Sequence, residues 1–338
     1  ARPPGASSSG SWPKPEPVYR AVNDYLRRCG GTPARGLHPK ALEAGEILVE
    51  CRRRLARLLG ASHGYHLAFT SGATESLNLA LKGTLARGAH VVVTDLEHNS
   101  VYRPLSALSR ERGVRWTVVH SREDGTVDPG AIRKAMEPDT QMVVFSHASN
   151  VLGTRVEMEA IIREAHLKKV PVLVDAAQTA GVVPLDVTRA SVDFLAFTGH
   201  KGLLGPPGTG GLLFRDDLDL RPLKEGGTGT ASENPEQPLS FPDRYESGSP
   251  NMCGIAGLNA AVEYIEHVGV SAIHRRKVRQ CGWLRESLAS VRGVELYGSS
   301  KTEHQVGIVA FNLTGCPAEE MAARLWQRGK VMVRAGLH

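Results

Sequence analysis

Between residues 67 and 214 short β-rich runs alternate with helical stretches, and no other feature of the chain restricts its fold as much. The runs fall at 67–70, 91–94, 115–119, 142–146, 172–175, 194–198 and 211–214. Several are continuously apolar, Val172-Leu173-Val174 among them, which is the texture of strands covered on both faces by helices. Sustained strand–helix alternation predicts an α/β fold built on a mainly parallel, helix-flanked sheet. At 338 residues the chain has room for that domain and a smaller second one.

Ahead of the alternation, residues 1–17 are rich in Pro, Gly and Ser and read as an N-terminal arm. Helices are expected at 18–28 and 39–59, the latter with Leu42, Ile47, Leu48, Leu55, Leu58 and Leu59 as its apolar positions. After it, residues 224–250 form a Gly/Thr/Ser/Pro-rich loop, and a loop of that length is usually functional or disordered. Helices at 254–267 and 270–291, a strand at 307–313 and a helix at 317–328 look like the start of a small α+β domain. The expected division is therefore 18–252 for the large domain and 253–338 for a connecting helix and an unfinished small domain.

Charge and composition narrow the function. The net charge of +6 is thinly spread, and its densest knots, Arg52-Arg53-Arg54 and Arg275-Arg276-Lys277, lie in helical patterns without interleaved aromatics. Nucleic acid is not the expected partner. No apolar run approaches the ~20 residues of a membrane span, and the N-terminus lacks the apolar stretch of a signal peptide. The cysteines, Cys29, Cys51, Cys253, Cys281 and Cys316, are odd in number and scattered, so they read as reduced thiols in a cytoplasmic protein with no metal site.

Five peptides at strand ends carry the chemistry. In Thr198-Gly199-His200-Lys201 a lysine follows a buried strand, where burial would lower its pKa and leave an amine able to form a Schiff base. Asp175 ends the run Val172-Leu173-Val174, and ligands of open parallel sheets bind outside such carboxyl ends. It suits a pyridinium nitrogen, although taken alone it reads more readily as a helix cap. Thr70-Ser71-Gly72-Ala73-Thr74-Glu75-Ser76 turns a strand into a helix and reads as a phosphate cradle or as an ordinary capped helix. Glu97-His98-Asn99-Ser100 and Ser146-His147-Ala148-Ser149-Asn150 place an imidazole and an amide at two further strand ends.

In this order and with this spacing, the peptides resemble the fold-type I, class V aminotransferase superfamily, and within it the cysteine desulfurase family with its selenocysteine lyase relatives. The likeness runs from about Trp12 to His338 and takes in Trp12-Pro13-Lys14-Pro15, Gly226 to Thr230 and Glu246-Ser247-Gly248-Ser249-Pro250-Asn251. It implies the PLP-dependent transferase fold and pyridoxal 5′-phosphate (PLP) held as a Schiff base by Lys201. Asp175 would pair with the ring nitrogen, Gln178 would reach the ring hydroxyl, and His98 would stack on the ring and move protons. Ala73, Thr74, Thr198 and His200 would bind the phosphate. Asn150 would sit near the ring hydroxyl and the substrate carboxylate, Arg334 would face the substrate, and Thr230 would reach the phosphate site of a neighbour in a homodimer. L-cysteine or an analogue would be the substrate, with a sulfur-acceptor protein as a further partner.

Two departures from the family stand out. Ala6-Ser7-Ser8-Ser9-Gly10 replaces the usual Asp-Asn-Ala-Ala-Thr, so part of the substrate pocket is expected to be altered. The family's persulfide-forming cysteine directly follows a peptide like Arg334-Ala335-Gly336-Leu337-His338, where this sequence stops, and a substrate-carboxylate arginine lies further on. The natural chain is therefore expected to continue past His338. Selenocysteine lysis, β-elimination, transamination and a non-catalytic scaffold stay open as alternatives, although a scaffold has no use for Lys201, Asp175 and Gln178 together. Gly205-Pro206-Pro207-Gly208-Thr209-Gly210 imitates a P-loop, but Gly211-Leu212 follow where lysine and a hydroxyl are needed. His63 and His66 lack a third ligand for zinc.

Overall fold

The computed structural model describes residues 13–33, 38–230 and 233–336. The altered Ala6–Gly10 stretch, Trp12, Leu337 and His338 lie outside the described residues. Two helices come first, α1 (Glu16–Asp24) and α2 (Pro39–Leu58). Then strands and helices alternate: β1 (Tyr65–Thr70), α3 (Ala73–Thr84), β2 (His90–Thr94), α4 (Asn99–Arg112), β3 (Arg115–Val119), α5 (Pro129–Ala135), β4 (Thr140–Ser146), α6 (Met158–His166), β5 (Val172–Asp175), α7 (Val187–Ala190), β6 (Phe194–Thr198) and β7 (Gly210–Arg215). All seven strands form one sheet in the order β1-β7-β6-β5-β4-β2-β3. Six run in one direction and β7 runs against both its neighbours, β1 and β6. The connection from β6 to β7 is too short for a crossover helix, so the chain can only return antiparallel.

Alternate residues along each central strand feed two apolar layers. Val143, Phe145, Val172, Val174, Leu195 and Phe197 face one side, packed under α2, α6 and α8 (Met252–Val268). Met142, Val144, Leu173, Phe194 and Ala196 face the other, under α3 and α4. This double cover explains the unbroken apolar runs in the sequence. Beyond α8 come α9 (Val270–Ala289), β8 (Val294–Tyr297), β9 (Ala310–Leu313) and α10 (Ala318–Gly329), with β8 and β9 pairing antiparallel. The pairing Thr154↔Gln305 joins this part to the loop after β4. Among the described residues no helix is long and apolar enough to cross a membrane.

Several expectations need correction. The helix at 18–28 is α1 followed by one π-helical turn, Tyr25–Cys29, ended by Gly30 at φ 60°. The buried face of α2 is Ala41, Ala44, Cys51 and Leu55, and Leu42 is 52% exposed. Small side chains form that face because it packs closely on α8. Strand β8 was not expected, since its four residues alternate between half-buried and exposed. β9 begins at Ala310 and not at 307, where Gly307 at φ 92° interrupts an extended strand. Residues 224–230 and 233–250 contain neither helix nor strand, as the composition implied.

Candidate active site

The carboxyl ends of β1, β2, β4, β5 and β6 all open on one edge of the sheet, and each is followed by one of the five peptides. Asp175 is the last residue of β5 and is only 7% exposed. Its Oδ1 accepts the Ala177 N–H at 2.8 Å, which fixes the carboxylate at the turn. Burial pushes its pKa up, opposed by that amide and by the charges of Lys201 and His98. Lys201 is pulled the other way: burial lowers its pKa, Arg334 adds to the effect, and Asp175 opposes it. A lysine so placed surrenders its proton more readily than an exposed one, as Schiff-base chemistry requires.

The lysine loop is closed by contacts that only glycine permits. The Gly199 N–H donates to the Thr209 carbonyl at 2.7 Å, and the Gly205 N–H to the Gly199 carbonyl at 2.8 Å. A Cβ on Gly199 would stand 2.1 Å from Thr209 Oγ1, and one on Gly202 would stand 2.5 Å from the Ala180 carbonyl oxygen. The second contact clamps the Lys201 loop onto the turn that follows Asp175. Within the run that imitates a P-loop, a Cβ on Gly205 would meet Leu258 Cδ1 at 2.7 Å and the Gly199 carbonyl oxygen at 3.1 Å, so that glycine serves chain packing around the Lys201 loop.

The N-terminus of α3 has no side-chain cap, since its N-cap residue is Gly72, at φ 155° and ψ 177°. That conformation is essentially reserved for glycine. Thr198 approaches it closely: a Cβ on Gly72 would be 3.3 Å from Thr198 Oγ1. Thr198 Oγ1 also lies 2.8 Å from His200 Nδ1. Ala73 and Thr74 begin the helix, and Thr74 Oγ1 sits 2.8 Å from Ser100 Oγ. Uncapped amides, a helix dipole and convergent hydroxyls are the chemistry of an anion site, and a phosphate fits them.

His98 is the N-cap of α4, and its Nδ1 accepts the Ser100 N–H at 3.1 Å. Burial lowers its pKa, so the ring is neutral with its proton on Nε2. Ser100 was not anticipated as a site residue, yet it links His98 to Thr74, with Oγ 2.8 Å from His98 Nδ1. A second unforeseen contact comes from Lys14, whose Nζ donates at 2.7 Å to the His200 carbonyl, the peptide group just before Lys201. The Pro-Lys-Pro peptide was the only signal for it.

Asn150 and Gln178 are half-buried in the turns after β4 and β5. The Ser149 hydroxyl holds the first turn by accepting the Val151 and Leu152 N–H groups. Arg334 is exposed, yet its charge acts on both Lys201 and His98. Thr230 lies in the long loop and donates to Asp243 Oδ2 at 2.6 Å, within the loop itself. The cysteines stand elsewhere: Cys51 and Cys281 are buried with thiol pKa values pushed up, Cys51 to about 12. Cys29 packs beside Tyr25, Cys253 begins α8, and Cys316 follows β9.

A half-buried lysine and a buried aspartate after adjacent strands, beside an uncapped helix N-terminus, define a scaffold for anchoring a phosphorylated aromatic aldehyde. The chain belongs to the class V aminotransferase family, whose model matches residues 7–338. It is 36% identical over 98% of its length to a probable cysteine desulfurase of Methanothermobacter thermautotrophicus, 83% of which is covered. A cysteine desulfurase of Dickeya dadantii is 32% identical over 98% of this chain and 81% of its own. Among solved structures, the apo cysteine desulfurase of Thermococcus onnurineus superposes with a TM-score of 0.87 at 30% identity, covering 97% of this chain and 83% of that one. A mutant of the protein C-DES, with glycine covalently linked to its PLP cofactor, superposes at 0.85 with 22% identity over 97% of this chain and 87% of its own, a likeness of fold.

Proposed function

We propose that the protein is a PLP-dependent cysteine desulfurase, taking sulfur from L-cysteine and releasing alanine. The observation that carries this is the meeting of Lys201, Asp175 and the Gly72–Thr198 contact at one edge of the sheet, in a chain whose close relatives are named cysteine desulfurases. The donor set fits PLP: an amine with a lowered pKa for its aldehyde, a buried carboxylate for its ring nitrogen, and uncapped amides with hydroxyls for its phosphate. Bound there, PLP supplies an electron sink for charge left at the substrate's Cα.

Every other task falls to the chain. Lys201 Nζ would hold and move the Cα proton, and His98, with Nδ1 taken by the Ser100 N–H, would face the cofactor with its Nε2 proton available. Asp175 would keep the ring nitrogen protonated, and Gln178 would reach the ring hydroxyl. The α3 amides of Ala73 and Thr74, with Thr198 and His200, would hold the phosphate. Asn150 would serve the ring hydroxyl and the substrate carboxylate, Arg334 would help orient the substrate, and Thr230 of a second copy would complete the site in a homodimer. A cysteine thiolate would attack the substrate sulfur, the Cβ–S bond would break with its electron pair left on the carbon skeleton that becomes alanine, and the persulfide would pass its outer sulfur to an acceptor protein. Cys51 and Cys281 are too deeply buried to be that thiolate. The division into a PLP-binding part, 18–252, and a small C-terminal part, 253–338, belongs to the same reading.

Borohydride reduction of the yellow holoprotein, followed by peptide mapping, tests it. The adduct is expected on Lys201, and L-cysteine is expected to change the visible spectrum. An adduct on Lys168 or Lys169, or none, would overturn the reading.

A further inference from the structure

Glu97 has no task in that mechanism, yet it is only 8% exposed in the turn after β2, beside the strand ends that form the site. Its Oε1 accepts the Thr94 hydroxyl at 2.6 Å and the Ser146 N–H at 3.0 Å, and its Oε2 accepts the Ser146 hydroxyl at 2.8 Å. The β2–β4 ladder ends at Val93↔Val144, so the Glu97 side chain joins the two strands where backbone pairing stops. On the far side of Ser146 stands its cross-strand partner, Asp175. Two buried carboxyl groups thus flank one residue. Asp175 feels the charge of Lys201 and accepts the Ala177 N–H, whereas Glu97 meets one amide and two hydroxyls. A hydroxyl accepts as readily as it donates, so a proton on Oε2 can point to Ser146 Oγ without breaking the network. Two like charges that interact in a dry interior resist being carried together, and the one facing the lysine keeps its charge.

We propose that Glu97 is a positioning residue that holds its proton on the acid side of neutrality, so that there Asp175 is the single anion on the floor of the site. The inference rests on Asp175 facing the ring nitrogen of PLP. Burial, with the charge of Asp175 acting in the same sense, pushes Glu97 up to about 7. The other titratable groups around it agree. Asp95 and His98 flank it in the chain, and Tyr102 of α4 is pushed up to about 12 by burial with Glu97 and Asp95. His147, next to Ser146, is driven down to about 3 and stays neutral.

Infrared titration of the cofactor-free full chain between pH 5 and 8.5 tests this without any reliance on PLP. The wild-type protein should show the carbonyl stretch of a protonated carboxyl at pH 6, titrating near neutrality, and Glu97→Gln should lack it. In Asp175→Asn, where the neighbouring charge is gone, the midpoint of the same band should move lower; this arm stands even if Glu97→Gln fails to fold. In the wild-type holoenzyme the visible absorbance should follow the Glu97 midpoint, and in Glu97→Gln that step should vanish. A carboxyl signal at pH 6 indifferent to Glu97→Gln, or a midpoint unmoved by Asp175→Asn, would overturn the proposal and leave the desulfurase reading intact. Absence of the absorbance step from the wild-type holoenzyme, with both infrared results as expected, would instead refute the placing of Asp175 at the ring.

Discussion

Removing the Glu246 carboxylate should unfasten the long loop from the edge of the sheet. Arg52 Nη2 lies 2.7 Å from both Glu246 oxygens, with side chains only 17% and 11% exposed. Glu246 Oε1 also accepts the Phe69 N–H at 2.8 Å, one residue from the end of β1. Arg52 donates from Nε to the Leu67 carbonyl and lies 4.9 Å from the Phe69 ring centroid. The loop's two arms are tied as well, by the Gly248 N–H to the Gly227 carbonyl. Glu246→Ala would leave Arg52 a half-buried cation and Phe69 an unpaired amide. Breaking a buried pair from one side costs about 3–5 kcal/mol. Replacing both partners with apolar residues of similar size is often close to neutral. Urea unfolding followed by circular dichroism should therefore show a loss of that size in Glu246→Ala and most of it regained in Arg52→Met combined with Glu246→Leu. A single-variant loss below about 1 kcal/mol, or strictly additive losses in the double variant, would refute the assignment of the pair as the loop's anchor.

Other perturbations act on the site directly. Asp175→Ala should leave PLP bound through its phosphate and slow deuterium exchange at Cα of bound L-cysteine by about 10²–10³-fold, read by NMR. Gly210→Ala puts a Cβ 2.5 Å from the Gly72 Cα and 2.6 Å from the Phe197 carbonyl oxygen, where backbone must move. PLP titration should show weaker binding, and unfolding a loss of about 1–3 kcal/mol. Stability should also carry the mark of Glu97, whose pKa rises from 4.5 to about 7 on folding. The native state then keeps a proton that the unfolded chain gives up. The contribution is full below pH 4.5 and lost as the pH rises to about 7, a change of about 3 kcal/mol that Glu97→Gln should not show.

Much of this architecture was legible because buried strands announce themselves. The limits of β5 and β6 match the apolar runs to the residue, since helices cover both faces and leave no polar alternation to blur them. Where burial is one-sided or slight, the pattern fails. β8 stands on an exposed two-stranded sheet, and of the apolar positions expected in α2 only Leu42 is exposed, because Ala41, Ala44, Cys51 and Leu55 occupy the buried face. In the site, each strand-end peptide could be found from composition. The partners between peptides could not: Ser100 joins Thr74 to His98, Lys14 reaches the His200 carbonyl, and Glu97 bridges β2 and β4. Such pairings depend on strand order, which the sequence states only indirectly.

Strand order also explains why the chain needs paired glycines at the start of β7. Because β7 lies between β1 and β6, the ends of those two strands are separated by two strand spacings, roughly 9–10 Å. The Gly72–Thr198 contact must nonetheless span that gap, since both belong to the proposed phosphate site. It does so over the first residues of β7, which begins at this edge because it runs antiparallel. Any side chain at Gly210 would occupy the space through which Gly72 approaches, and one at Gly211 would strike the Phe197 ring at 2.6 Å. The reversed strand brings the lysine loop home, and its missing side chains let the helix and Thr198 meet above it. The out-of-order strand and its two glycines are thus parts of one device.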